Sequence, residues 1–297
     1  MISQLSQDTG YHKIEPKPEQ LLVHKEILKT IRQWRLTVLK SQFIRIVSIV
    51  VIVKFVYYTR IFGPVIGFSF AIVVFGTSIF GNYIVTLFLP MISVLNMHKV
   101  WRDMMDRAIS FWMVIPLFFL HFIYGVKVRV SGDSIDCNEP AIIIMNHRTR
   151  LDWLYFWLGL WRINPWLMTT NKIALKELLR HVPGAGFGMQ ASQYVFLRRD
   201  LEIDLQRLSR AVDYYAEMGK PYQILMFPEG TDKTDYTTRR SNEYAKKNGL
   251  KPFKHVLYPR TAGFIHLVKK MIENNYLTHI YDVTVAYPKT LCKMRLT

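Results

Sequence analysis

The stretch Ala141-Ile-Ile-Ile-Met-Asn-His-Arg-Thr-Arg-Leu-Asp-Trp153 decides how the rest of the chain is read. Ala141 to Met145 is apolar and largely β-branched, the composition of a strand buried on both faces. The run stops at Asn146-His147, and an apolar, tryptophan-rich segment of helical character begins by Leu151. A histidine closing a buried strand, with Asp152 at the mouth of the next helix, can form a base and its orienter. The acid fixes the ring and its tautomer, and the other ring nitrogen takes a proton from a hydroxyl nucleophile. Spacing alone favours a plainer reading, with Thr149-x-x-Asp152 as a helix cap. Nine histidines give many chance matches, and His98 with Asp103 has the same separation. That second pair follows no strand and lies between two apolar runs, so it is read as a charged turn.

Outward from this stretch, the composition sets bounds. A chain of 297 residues holds one sizeable domain plus membrane segments, or two small domains. Half of the residues are hydrophobic and the formal charge is +17, so the expected partners are anionic: a membrane surface, a phosphorylated substrate or nucleic acid. Two distant cysteines, Cys137 and Cys292, make no disulfide framework, and no Cys/His cluster has zinc-ligand spacing, so no metal is expected. The thiol count suits a cytosol-facing catalytic region.

Three regions follow. Residues 1–60 carry ten Lys/Arg against four Asp/Glu, with Pro16 and Pro18 breaking the early part. Within them, residues 19–40 are expected to form a basic amphipathic helix, with Leu22, Ile27, Ile31 and Trp34 among Lys25, Lys29, Arg32 and Arg35. Residues 61–126 are expected to be membrane-embedded. Ile61 to Met97 holds no charged residue, and a single span needs ~20 apolar residues. A second uncharged run, Ala108 to Val126, follows the charged turn His98–Arg107. Two crossings would put the basic tail and everything after Lys127 on one side; 26 positive charges from Lys127 onward against three in the turn make that side cytosolic. The alternative is that both segments dip into one leaflet.

From Lys127 to Thr297 strand-like runs alternate with helical ones, which argues for an α/β layer with a mostly parallel sheet flanked by helices. The expected strands are Val126–Val130, Ala141–Met145, Trp166–Thr170, Gln193–Leu197, Gln223–Phe227, His255–Tyr258 and Tyr281–Tyr287. The clearest helix is Leu201 to Met218, with Asp200 as N-cap and Leu201, Leu205, Leu208, Val212 and Tyr215 on one face. Five of these strands run into His147, Lys172, Arg198-Arg199, Glu229-Gly230 and Arg260. Ligands of parallel sheets bind outside the carboxyl ends of the strands, so this edge suits a phosphorylated substrate.

Asn146-His-Arg-Thr-Arg-Leu-Asp152 resembles the first block, His-x4-Asp, of the glycerolipid acyltransferase family. Phe196-Leu-Arg-Arg199 is similar to its second block, Phe227-Pro-Glu-Gly-Thr231 to its third, and Val256–Pro259 stands where the fourth, an apolar strand closing in proline, would fall. The likeness covers roughly residues 66–288. It extends to the lysocardiolipin and 1-acylglycerol-3-phosphate acyltransferase branch through Met145-Asn-His-Arg-Thr-Arg150, Phe227-Pro-Glu-Gly-Thr-Asp232, Lys247-Asn-Gly-Leu250, Tyr258-Pro-Arg-Thr261 and Asp282-Val-Thr-Val-Ala-Tyr-Pro288.

The resemblance implies a membrane enzyme, of the endoplasmic reticulum or membranes associated with mitochondria, that moves an acyl group from coenzyme A thioester to a lysophospholipid hydroxyl. Acyl-CoA is then a co-substrate, no resident cofactor is needed, and the acceptor is of lysocardiolipin or lysophosphatidylinositol type, or else lysophosphatidic acid. His147 is implied as general base and Asp152 as its orienter. Arg198 and Arg199 are implied at the acceptor phosphate, and Arg199 lies at the family's arginine position. Glu229, Gly230 and Thr231 are implied around the thioester oxyanion or the headgroup, Glu229 by accepting from a substrate hydroxyl or anchoring Arg199. Against these stand plainer readings: surface charges for the two arginines, a chain turn for Gly230, solvated lysines rather than coenzyme A phosphate contacts for Lys172 and Lys176, and packing or an interfacial belt rather than a cofactor stack for Trp153, Trp157 and Trp161. Relatives of this branch continue past Tyr287-Pro288, so a segment beyond the present C-terminus is implied. The other-class reading is a non-catalytic protein whose basic edge holds anionic lipid. An uncharged run as long as Ile61–Met97 does not suit nucleic-acid binding.

Overall fold

Ala141–Met145 is the second strand from one edge of the sheet, β1, and the whole layer is built on it. The computed structural model describes residues 18–58 and 62–288. Four more strands, β2 (Asn171–Lys176), β3 (Val195–Leu197), β4 (Gln223–Met226) and β5 (His279–Val283), complete a five-stranded sheet in the order β3-β2-β4-β1-β5. Every pairing is parallel, with Ile143 beside Leu225 on one side and Tyr281 on the other.

Parallel strands need covered faces, and alternation along β1 supplies both. Ile142 joins Ile224, Met226, Leu208, Val212 and Leu267 in one core, under α8 (Leu201–Met218) and α10 (Thr261–Glu273). Ile143 and Met145 face the other core with Ile173, Leu225 and Leu117, under α4 (His98–Phe118) and α5 (Asp152–Ile163). Ala141, Ile142 and Ile143 are fully buried, worth ~1.5–3 kcal/mol for each isoleucine. Helix α8 has the expected bounds, and Asp200 caps it by accepting from the Ile203 N–H at 3.2 Å.

Other expectations shift. Trp166–Thr170 is not a strand: Leu167–Thr170 forms one helical turn, α6, and the strand begins at Asn171. Val126–Val130 and His255–Tyr258 are irregular, and the last strand runs 279–283 rather than 281–287. Short apolar runs carry no signal of where a ladder starts, because backbone pairing partners set it. Lys172 consequently stands at the amino end of β2, not at the carboxyl edge, and is buried.

His98–Arg107 is no turn either; it is the first half of α4. Arg102 and Asp106, one helical turn apart, are buried there. Arg102 donates to the carbonyl of Ala191 at 2.6 Å and to Asp106 at 2.7 Å. Lys172 Nζ and the Tyr222 hydroxyl both reach the same carboxylate at 2.7 Å. His98 and Asp103, at the spacing of the candidate pair, go separate ways: His98 bonds Tyr214 and Asp103 pairs with Lys220.

Three helices are long and apolar enough to cross a membrane, over Arg35–Lys54, Gly63–Ile92 and His98–Ile123. The first lies within α1 (Pro18–Tyr58), which extends past the amphipathic segment expected at 19–40. The side chains of Leu22, Ile27, Ile31 and Trp34, residues 1–17 with Pro16, and residues 289–297 with Cys292 lie outside those described. With three candidate spans rather than two, the parity argument for a common side of the membrane lapses. Compact units divide between Phe68 and Ser69, so α4 and the part of α2 (Phe62–Leu87) from Ser69 onward fall in the same unit as the sheet.

Two outcomes follow from the Asp106 network. Asp106→Ala leaves two buried cations without their carboxylate, and detergent unfolding should show a loss of about 3–5 kcal/mol. Burial outweighs Asp106 and brings the Lys172 pKa down to about 8. The unfolded chain then binds more protons than the native one from about pH 8 up to the ordinary lysine range, so stability should rise with pH across that window. Lys172→Met should flatten that rise in melting curves taken between pH 8 and 10.

Candidate active site

The chain leaves β1 through Asn146 and His147, and α5 begins five residues later on Asp152, whose side chain is fully buried. Oδ2 of Asp152 accepts from His147 Nδ1 at 2.9 Å and from the backbone N–H groups of Arg148 and Thr149 at 2.5 and 2.9 Å. Oδ1 accepts from the Thr149 hydroxyl at 2.8 Å and from the Tyr287 hydroxyl. Of the plainer capping-box reading only the Asp152 bond to the Thr149 N–H is present, and Leu151 occupies the cap position without a side-chain bond.

Burial by itself pushes a carboxyl group towards its neutral form. Donation from His147, Tyr287 and Thr149 outweighs it and holds the Asp152 pKa below the usual carboxylate range. An ionised Asp152 at Nδ1 requires the proton on that nitrogen, which puts the ring's lone pair on Nε2. The imidazole is largely enclosed, with 16% of its side chain exposed, and the Phe227 ring lies 4.3 Å from it.

Among the described contacts Glu229 does not anchor Arg199; it binds backbone instead. Its carboxylate accepts from the backbone N–H of His147 at 2.8 Å and from that of Leu257 at 2.8 Å. It therefore ties the loop after β1 to the segment 255–260 and is buried. Gly230 closes a turn, donating its N–H to Phe227 at 2.9 Å with φ +71°, so that N–H is already used rather than offered to an oxyanion. A side chain there would meet Arg260 Cδ at 3.3 Å; Arg260 lies over the glycine, held by its own N–H on Pro228 at 2.7 Å. Thr231 is half-buried, its hydroxyl 3.4 Å from Asp232.

Arg198 and Arg199 leave β3 on the same carboxyl edge, both exposed. Arg199 has φ +70°, and the carboxylate of Asp204 holds this turn by accepting from both arginine N–H groups, at 2.7 and 2.9 Å. Three interstrand steps put β3 about 14 Å from β1. Arg199 bridges much of that gap by donating to the Gly230 carbonyl at 3.4 Å. Of the two lysines, Lys176 ends β2 on this edge and is exposed. Trp153 and Trp157 pack edge-to-face at 4.8 Å, and Trp157 donates to Asn171 at 3.0 Å, which makes this pair part of the core.

The edge thus gathers His147, Asp152, Arg198, Arg199, Glu229, Gly230 and Thr231. Sequence reasoning missed Asn146, whose amide pairs with Val285, and Tyr287; it named Arg260 only as a strand end. No pattern within one segment signals such long-range hydrogen bonds.

Glu229→Gln makes a discriminating variant. An amide must present one N–H group to a backbone N–H, so about 1–3 kcal/mol of stability should be lost with kcat, at little change in KM. A melting curve of the parent kind with a raised acceptor KM would instead return Glu229 to a substrate hydroxyl.

The acyltransferase family model matches residues 127–288. Lysophosphatidylinositol acyltransferase 10 of Caenorhabditis elegans is 54% identical over 233 residues, 78% of this chain and 59% of its own. Lysocardiolipin acyltransferase 1 of Gallus gallus is 39% identical over 76% of this chain and 59% of its own length. The probable 1-acyl-sn-glycerol-3-phosphate acyltransferase 5 of Arabidopsis thaliana is 33% identical over 63% of this chain and 49% of its own. The chain spans about 59% of the length of the first two relatives. No solved structure matches it. With the family model covering more than half of its residues, the chain belongs to the acyltransferase family.

Proposed function

We propose that this chain transfers a fatty acyl group from acyl-CoA to the free hydroxyl of a lysophospholipid, of lysophosphatidylinositol or lysocardiolipin type. The observation that carries the reading is the His147–Asp152 pair, with Nδ1 committed to an ionised, buried carboxylate and Nε2 left as base. His147 Nε2 takes the acceptor proton as its oxygen attacks the thioester carbonyl carbon. Asp152 stabilises the imidazolium. Collapse of the tetrahedral intermediate breaks the C–S bond, and the imidazolium proton goes to the leaving thiolate. No acyl-enzyme, metal ion or resident cofactor enters this sequence.

Arg199 and Arg260, both at Gly230, are the cations assigned to the acceptor phosphate, with Arg198 beside them. A forked guanidinium suits that task better than a lysine. Glu229 and Gly230 serve by shaping the loop, and Thr231 lies next to them. The 54% identical relative favours an inositol-type acceptor over the 1-acylglycerol 3-phosphate named for relatives at 33% and 32%. The apolar helices support an integral membrane seat, for which the endoplasmic reticulum is the expected organelle and the cytosol the expected side of the domain. The ionic cluster in the first half of α4 favours seating that half on the sheet, where its charges are paired, rather than in lipid.

The test is a panel of lysophospholipids offered with one labelled acyl-CoA to the purified full chain in detergent. Label should pass to lysophosphatidylinositol or lysocardiolipin faster than to lysophosphatidic acid. His147→Ala should lower the rate by about 10²–10⁴-fold while anionic lipid is still bound. Undiminished transfer by that variant sinks the mechanism, and binding without transfer by the parent leaves a lipid-holding protein.

A further inference from the structure

The segment after β5 runs along the mouth of the site. The β1–β5 ladder ends at Met145 beside Val283. One residue further along β1, the Asn146 side chain takes over from the backbone. Its amide nitrogen donates to the Val285 carbonyl at 3.0 Å, and its oxygen accepts from the Val285 N–H at 2.7 Å. An amide paired in both directions mimics a peptide group and prolongs the ladder by one two-residue step. Tyr281, Val283 and Val285 all pack against the core under α5. The same period carries Tyr287 to that face, where its ring meets Tyr155 edge-on at 5.5 Å and its hydroxyl reaches Asp152 Oδ1.

We propose that Tyr287 is a positioning residue for acyl transfer: its hydroxyl pins one oxygen of Asp152 so that the other stays aimed at His147, and Asn146 holds the strap that delivers it. The proposal rests on His147 acting as the base. Among the described residues, the other side-chain and backbone donors to this carboxylate come from 147–149, in its own loop. Tyr287 is the donor from another part of the fold, so it fixes the carboxylate relative to the sheet. It remains a donor at working pH, because burial and then Asp152 push the phenol pKa well up. Around the pair lie Glu229 on the His147 N–H, Lys233 with its N–H on the His147 carbonyl, Arg148 beside Lys233, and Tyr155 beside Asp152.

The experiment compares the full-length parent, Tyr287→Phe, Asn146→Ala and the double variant, using steady-state kinetics across pH and thermal melting in detergent. Phenylalanine keeps the ring packed on Tyr155 and removes only the hydroxyl. Its kcat should fall about ten-fold, with KM for both substrates within about two-fold, as for an interaction that matters in the transition state. The acid limb of kcat/KM should move to higher pH, because Asp152 with one donor fewer is a stronger partner for the imidazolium. Asn146→Ala should lower kcat similarly, and the double variant should be no worse than the poorer single one. Should Asn146→Ala fail to fold, Tyr287→Phe decides alone. Parent-like kcat and acid limb in Tyr287→Phe overturn the proposal, as does a loss confined to KM or melting temperature. His147→Ala is the control: if it is inactive while Tyr287→Phe is parent-like, only the tyrosine's role fails, whereas an active His147→Ala removes the base itself.

Discussion

A carboxylate taken wholly out of water must be surrounded by donors, and the loop after β1 exists to supply them to Asp152. Five hydrogen bonds converge on it, three from its own loop's polypeptide and hydroxyl groups, one from His147 and one from Tyr287. Unpaired, such a charge costs several kcal/mol and would take up a proton instead. Paired, it stays ionised and dictates the tautomer of the adjacent imidazole. The loop conformation, the start of α5 and the chemistry of His147 are consequences of that one requirement.

Glu229 performs a related task one strand away. Its two oxygens accept from backbone N–H groups of His147 and Leu257, segments that no ladder joins. The Phe-Pro-Glu-Gly-Thr block thereby sets the height of His147 above the sheet and places Arg260 over Gly230. Arg199 approaches the same glycine from β3, through a turn whose left-handed backbone costs of order 1 kcal/mol and is held by Asp204. Arg199, Arg260 and His147 therefore share an edge because three carboxylates, Asp152, Asp204 and Glu229, each bind backbone N–H groups there.

The far end of the sheet uses charge for another purpose. Arg102, Asp106, Lys172 and Tyr222 bind α4 to β2 and to the residue before β4, in the same helix whose later half is apolar enough for lipid. A hydrophobic contact alone would let such a helix slide, because lipid offers it an equal environment. The ionic cluster specifies one seat for α4 against the sheet.

The sequence by itself determined the layered α/β class, β1, α8 with its Asp200 cap, and the His-x4-Asp, Arg-Arg and Glu-Gly positions at strand ends. All of these are local: an apolar run, a helical period or a short motif carries its own signal. Only the tertiary structure decided that Lys172 lies at the amino end of a strand, that 98–107 is helix rather than turn, and that Glu229 serves the backbone. It alone brought Tyr287 across 135 residues to Asp152. A charged residue reads as exposed until its buried partner is known, and that partner is distant in sequence. Hydrogen bonds between remote segments leave no periodicity, so they are settled only when the sheet closes and every buried polar group finds its counterpart.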